Sequence, residues 1–150
     1  MTRYMLDTNT VSHFLREHPK VTQRILSVAM SSLSISAITE GELLFGLAKR
    51  PEAKRLHIAV HEFLRRVEVM PWESSSAEHY GTSRANLEAQ GKTIAPLDML
   101  IGSHALSLAA ILVTNDQTFH HMTGLQIEDW TKYSPKASLV LKCAQVKQTG

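Results

Sequence analysis

Four acidic residues stand where chemistry is easiest to build. Asp7 closes the short apolar run Tyr4-Met5-Leu6, and Asp116 follows the run Ile111-Leu112-Val113 after two residues. Glu42 and Asp98 lie at the starts of helical patterns, the second opened by Pro96. Each has an ordinary structural reading. Thr39-Glu40-Gly41-Glu42 is a formal capping box, Asp98 complements a helix dipole, and Asp7 and Asp116 suit N-caps. Together they differ from the sum, because no Lys or Arg adjoins any of them in the chain. Carboxylates gathered at the edge of an apolar sheet repel, and a divalent cation removes that repulsion. A donor set of oxygens without a Cys or His cluster favours Mg²⁺, with Mn²⁺ able to substitute. The chemistry such an ion supplies is activation of water against a phosphodiester, with no side-chain nucleophile needed.

Elements that could bring these residues together are visible as short β-type runs alternating with longer helical ones, the pattern of βαβ units and a parallel sheet. Strands are expected at residues 3–6, 33–36, 67–70, 111–113 and 126–128. Helices are expected at 8–17, 19–30, 40–49, 52–66, 74–90 and 96–108, with a helical turn at 117–121. Gly91 suits the C-terminal cap of the fifth helix. Its inward stripe reads as Ala77, Tyr80, Gly81, Arg84 and Leu87, and that of the sixth as Leu97, Leu100, Ile101, His104, Ala105 and Leu108. The expected fold is a three-layer α/β/α sandwich on a mainly parallel sheet of four or five strands. In such a sheet the carboxyl ends of strands and the N-termini of following helices share one edge. If the first and fourth strands are neighbours, a switch point lies between them and the four acids converge there.

Composition bounds the alternatives. The chain's 150 residues, 43% hydrophobic and 20% charged, suit one domain with a real core rather than a disordered or disulfide-built chain. The longest wholly apolar run, Leu108 to Val113, is far shorter than the roughly 20 residues of a membrane span. A single cysteine, Cys143, excludes an internal disulfide, and a cytoplasmic protein is expected. The formal charge of +2 is unevenly placed: residues 131–150 hold four lysines and no acid, so residues 1–130 carry −2. We therefore read residues 1–130 as the domain and 131–150 as a basic extension, flexible or loosely helical. Leu43, Leu44, Phe45 and Leu47 make their helix apolar almost all round, which fits either a core helix or one packed on a partner. His57 and His61, one turn apart, lack the glutamate of a zinc-protease motif. The pair His120-His121 reads as a cover for the sheet's end, and Arg84 as a candidate to approach phosphate.

Met5-Leu6-Asp7-Thr8-Asn9, Ile38-Thr39-Glu40-Gly41-Glu42-Leu43-Leu44-Phe45-Gly46, Pro96-Leu97-Asp98 and Val113-Thr114-Asn115-Asp116 occur in an order that resembles the successive motifs of PIN domains. With the closing Ile127-Glu128-Asp129-Trp130, the chain most resembles the VapC-type toxins of bacterial toxin–antitoxin pairs. The likeness covers nearly all of residues 1–130. It implies a Mg²⁺- or Mn²⁺-dependent endoribonuclease acting on RNA, tRNA in enteric relatives. It also implies a homodimer and a VapB-type antitoxin whose tail occupies the active-site groove, with operator DNA contacted only through that antitoxin. Carried over by motif, Asp7, Asp98 and Asp116 are metal ligands, Glu42 completes the acidic set, and Asn9 and Thr114 orient the carboxylates. Two other readings remain open. Asp7-Thr8-Asn9-Thr10 looks like the phosphatase motif of haloacid dehalogenases with Asn9 in place of the second acid, and a PIN-like module could bind RNA or antitoxin without cutting it.

Overall fold

The structure, a computed structural model, describes residues 2–135. Five strands form one parallel sheet: β1 (Tyr4–Leu6), β2 (Leu33–Ser36), β3 (Glu68–Met70), β4 (Ile111–Val113) and β5 (Ile127–Glu128). Their order is β3-β2-β1-β4-β5. Tyr4 pairs with Leu33 on one side and Ile111 on the other, and Leu6 lies opposite Val113. The chain thus leaves β1 toward β2 and returns to its other side at β4, which makes β1/β4 the switch point. Six helices connect the strands: α1 (Thr8–Leu15), α2 (Pro19–Ser27), α3 (Ala37–Ala48), α4 (Lys54–Arg66), α5 (Ser74–Ala89) and α6 (Pro96–Ser107).

Period-two alternation along the strands divides the apolar residues between two cores. Leu6 and Val113 face Val11, Ile25, Leu43 and Val60 of α1 to α4. Met5 and Leu112 face Leu87, Met99, Ile101 and Ala105 of α5 and α6. The result is the expected α/β/α sandwich. Trp130, 2% exposed, closes the first core, packed edge-on to Tyr4 at 5.2 Å with the Arg24 guanidinium 5.3 Å from its ring. A 3₁₀ turn at Trp130–Lys132 carries the ordered body past residue 130. The extension expected at 131–150 lies, from residue 136 on, outside the described residues.

Four local expectations are corrected. α3 begins at Ala37, three residues before the expected start, because the Ser36 hydroxyl accepts the Ile38 N–H and caps it directly after β2. α2 stops at Ser27, and Met30–Ser32 forms a separate 3₁₀ turn. On α5 the inward line runs through Ser76 and Leu87 with Tyr80 and Ser83 half-buried, while Ala77, Gly81 and Arg84 are exposed. Small residues let α5 sit close against α6, where the Ser76 and Ser107 hydroxyls meet at 3.0 Å. Leu97, expected inside, is 46% exposed at the first turn of α6.

Candidate active site

The sheet edge at the carboxyl ends of β1 and β4 gathers the acids through their local structural duties. Asp7 is the N-cap of α1: its Oδ1 accepts the Thr10 N–H at 2.7 Å, and its own N–H donates to the Val113 carbonyl at 3.1 Å. The Thr10 hydroxyl donates to that same carbonyl at 2.9 Å, so α1 is tied to the end of β4. Asp7 is 3% exposed, and burial raises its pKa although Thr114 and Thr10 hydrogen bonds pull it back. Asp116 caps the 3₁₀ turn Gln117–His121, accepting the Thr118 N–H at 3.0 Å and the Thr118 hydroxyl at 2.9 Å. Thr114, 2% exposed, stands between the two acids: its hydroxyl lowers the pKa of Asp7 and accepts the Asp116 N–H at 3.0 Å. Capping and site-building are therefore one arrangement, since the cap geometry holds each carboxylate on the rim.

Asp98 lies in the first turn of α6, half-buried. Its pKa is raised to about 6, first by burial and then by the negative charges of Asp116, Asp7 and Glu42 in that order. All four acids thus share one electrostatic neighbourhood, and none forms an ion pair among the described residues. Glu42 does not serve a capping box. It sits in the second turn of α3, and its Oε1 accepts a 2.7 Å hydrogen bond from the Thr8 hydroxyl, which is also 3.2 Å from the Thr39 hydroxyl. Sequence reasoning missed Thr8. Its place next to Asp7 was visible, but a partner 34 residues away was not.

Asn9 is exposed in the first turn of α1, and its side chain forms no hydrogen bond among the described residues. Arg84 bonds Tyr80 Oη at 2.8 Å and Glu88 at 3.1 Å, and it lines a recess with Lys92, Ile94, Pro96 and Met99. No Arg84 charge offsets the repulsion on Asp98. His57 bonds the Arg50 carbonyl at 2.9 Å, and His120 and His121 end the 3₁₀ turn exposed.

Among the described residues, no three His, Cys, Asp or Glu side chains are drawn into a ready metal cage. Asp98 feels the charge of the other three acids. That fits a hydrated cation of the magnesium class, which keeps several waters and takes one or two carboxylates directly. Carboxylates whose pKa values rise through burial first and neighbouring acids second are the chemistry such an ion relieves.

Comparison with known proteins agrees with this geometry. The PIN-domain family profile matches residues 4–125. A tRNA(fMet)-specific endonuclease VapC from Shigella flexneri is 32% identical over 132 residues, covering 87% of this chain and all of the relative. A crystal structure of DNA-bound VapBC from Salmonella typhimurium superposes with a TM-score of 0.80 at 35% identity, covering 87% of this chain and 99% of that one. VapBC2 from Rickettsia felis, bound to a DNA fragment from its promoter, gives 0.79 at 31% identity, covering 86% and 99%. The chain belongs to the PIN-domain family, in its branch of VapC ribonucleases. The haloacid-dehalogenase reading falls with that assignment.

Proposed function

We propose that this chain is the toxin of a toxin–antitoxin pair, a Mg²⁺- or Mn²⁺-dependent endoribonuclease that cuts RNA, tRNA above all, at the acidic crevice. The observation that carries the reading is that Asp98 feels the charges of Asp116, Asp7 and Glu42, acids from separate elements, and that none of the four forms an ion pair among the described residues. When bound, a divalent ion there supplies Lewis-acid chemistry, acidifying water and drawing charge from the phosphate. Asp7, Asp98 and Asp116 would hold it. The Thr10 N–H holds Asp7 in place, Thr118 holds Asp116, and Thr8 holds Glu42. Asp98, its pKa raised to about 6, would have to be ionised to hold the cation. The tRNA substrate is supported by the name of the Shigella relative.

A VapB-type antitoxin fits an apolar groove of about 510 Å³ between α2 and α4, lined by Ile25, Leu26, Met30 and Phe63, with Leu26 78% exposed. A homodimer fits the exposure of Leu44 (41%) and Phe45 (61%) on α3, beside buried Leu43 and Leu47. The earlier choice between core and partner for that helix thus divides by face. No helix among the described residues is long and apolar enough to cross a membrane, and the reading places the enzyme with its RNA in the cytoplasm.

The test is cleavage of tRNA by purified, antitoxin-free protein. Wild type is expected to cut with Mg²⁺ or Mn²⁺ and to stop with EDTA, and Asp7→Asn to lose at least about 100-fold in kcat with an unchanged far-UV circular dichroism spectrum. An Asp7→Asn protein as active as wild type would overturn the mechanism.

A further inference from the structure

His104 is 1% exposed on α6, among apolar neighbours that include Ile101 and Ala105. A Leu would fill such a position without the cost of burying a polar ring. The ring reaches across to the end of β2, where Nδ1 lies 2.8 Å from the Ser36 hydroxyl. Among the described residues this is the sole side-chain hydrogen bond joining α6 to β2 or α3. Ser36, 0% exposed, is also the cap of α3 and accepts the Ile38 N–H at 3.1 Å. Nε2 is turned toward the Pro71 carbonyl after β3 without closing a hydrogen bond to it. The arrangement is consistent when the neutral ring carries its proton on Nε2. The Ser36 hydroxyl then donates to Nδ1 while accepting from Ile38.

The position of this bond relative to the acids is what gives it a consequence. Glu42 lies six residues after Ser36 on α3, and Asp98 lies six residues before His104 on α6. Glu42 and Asp98 feel each other's charge. α6 thus meets the start of α3 at one buried hydrogen bond, with Asp98 six residues back along α6 and Glu42 six residues on along α3. A slip of one residue between them moves an acid by about 1.5 Å, enough to spoil a cation site. We propose that His104 is a positioning residue for the acidic crevice: its bond to Ser36 pins α6 on α3 and so sets the spacing of Asp98 and Glu42. The proposal rests on the reading of those acids as a cation site.

Mn²⁺ binding to the full chain, measured by calorimetry without RNA, tests it. His104→Leu is expected to weaken Mn²⁺ binding roughly tenfold. His104→Asn, whose Oδ1 can accept from Ser36 in place of Nδ1, is expected to recover affinity to within about twofold of wild type. In a Ser36→Ala background the Leu substitution should add little, because the bond is already gone. Should His104→Leu not fold, Ser36→Ala carries the same expectation by the same measurement. A Leu variant, or failing that Ser36→Ala, with wild-type Mn²⁺ affinity overturns this proposal alone, even if its melting temperature falls. So do losses that simply add in the double variant. Wild type that takes up no Mn²⁺ overturns the cation reading and this proposal together.

Discussion

At the scale of single residues, Asp98 shows what crowding carboxylates at a sheet edge costs the fold. Its folded-state pKa of about 6 lies above the ordinary carboxylate value because burial and three neighbouring acids disfavour its charge. The folded state therefore holds a proton that the unfolded chain has already released. The sign follows: this contribution to stability is complete below about pH 4 and is lost as the pH rises through about 6. Metal-free wild type is expected to melt lower at pH 7.5 than at pH 5 on this account. Asp98→Asn should reduce that dependence, leaving the part that buried Asp7 contributes, and melt higher than wild type at pH 7.5. After discounting for solvent screening of a half-buried group the gain is about 1 kcal/mol, or about 3 °C. Scanning calorimetry of both proteins at the two pH values checks it. A wild-type melting temperature unchanged by the Asn substitution at pH 7.5 would mean that Asp98 is not crowded in solution.

At the scale of elements, α5 and α6 end in the same way with different residues. Gly91, at φ +68°, follows α5, where Lys92 N–H donates to the Leu87 carbonyl at 2.9 Å and Gly91 N–H to that of Glu88 at 3.0 Å. Ala109, at φ +50°, follows α6 with the matching pair, Ala110 N–H to Ala105 at 3.0 Å and Ala109 N–H to Leu106 at 3.1 Å. A left-handed residue with a Cβ is strained there. Ala109→Gly is expected to raise stability by about 0.5–1 kcal/mol, read as a rise of about 2–4 °C in melting temperature with cleavage unchanged. A lower melting temperature would refute that conformation. The cap at Gly91 was legible because glycine signals it; Ala109 sends no such signal. The start of α3 was misread for a related reason. Ala37-Ile38-Thr39 carry no strong helix-start residue of their own, and the helix begins there because the Ser36 side chain turns back onto the Ile38 N–H.

At the scale of the molecule, the sheet leaves one face of α3 without a covering layer. Leu43 and Leu47 enter the core, while Leu44 and Phe45 face outward with Lys49 Nζ 4.5 Å from the Phe45 ring. If that face joins two copies, wild type sediments as a dimer and Phe45→Glu as a monomer with an unchanged far-UV spectrum, since a buried unpaired charge is costly at an interface. A Phe45→Glu protein that remains dimeric would remove α3 from the interface. Such a dimer would set its interface beside the proposed site, because α3 also carries Glu42.

The order of strands and helices and the placing of Asp7, Asp98 and Asp116 at strand ends or helix starts were legible in the linear chain. Hydrophobic period and capping residues are local properties, fixed by neighbours a few positions away. Pairings across the sheet were not legible. That Glu42 answers to Thr8 rather than Thr39, that Thr114 stands between Asp7 and Asp116, and that His104 meets Ser36 all depend on the stacking of elements far apart in sequence. A hydrogen bond needs its partners within about 3 Å, and only the folded packing of β1 between β2 and β4 brings them that close.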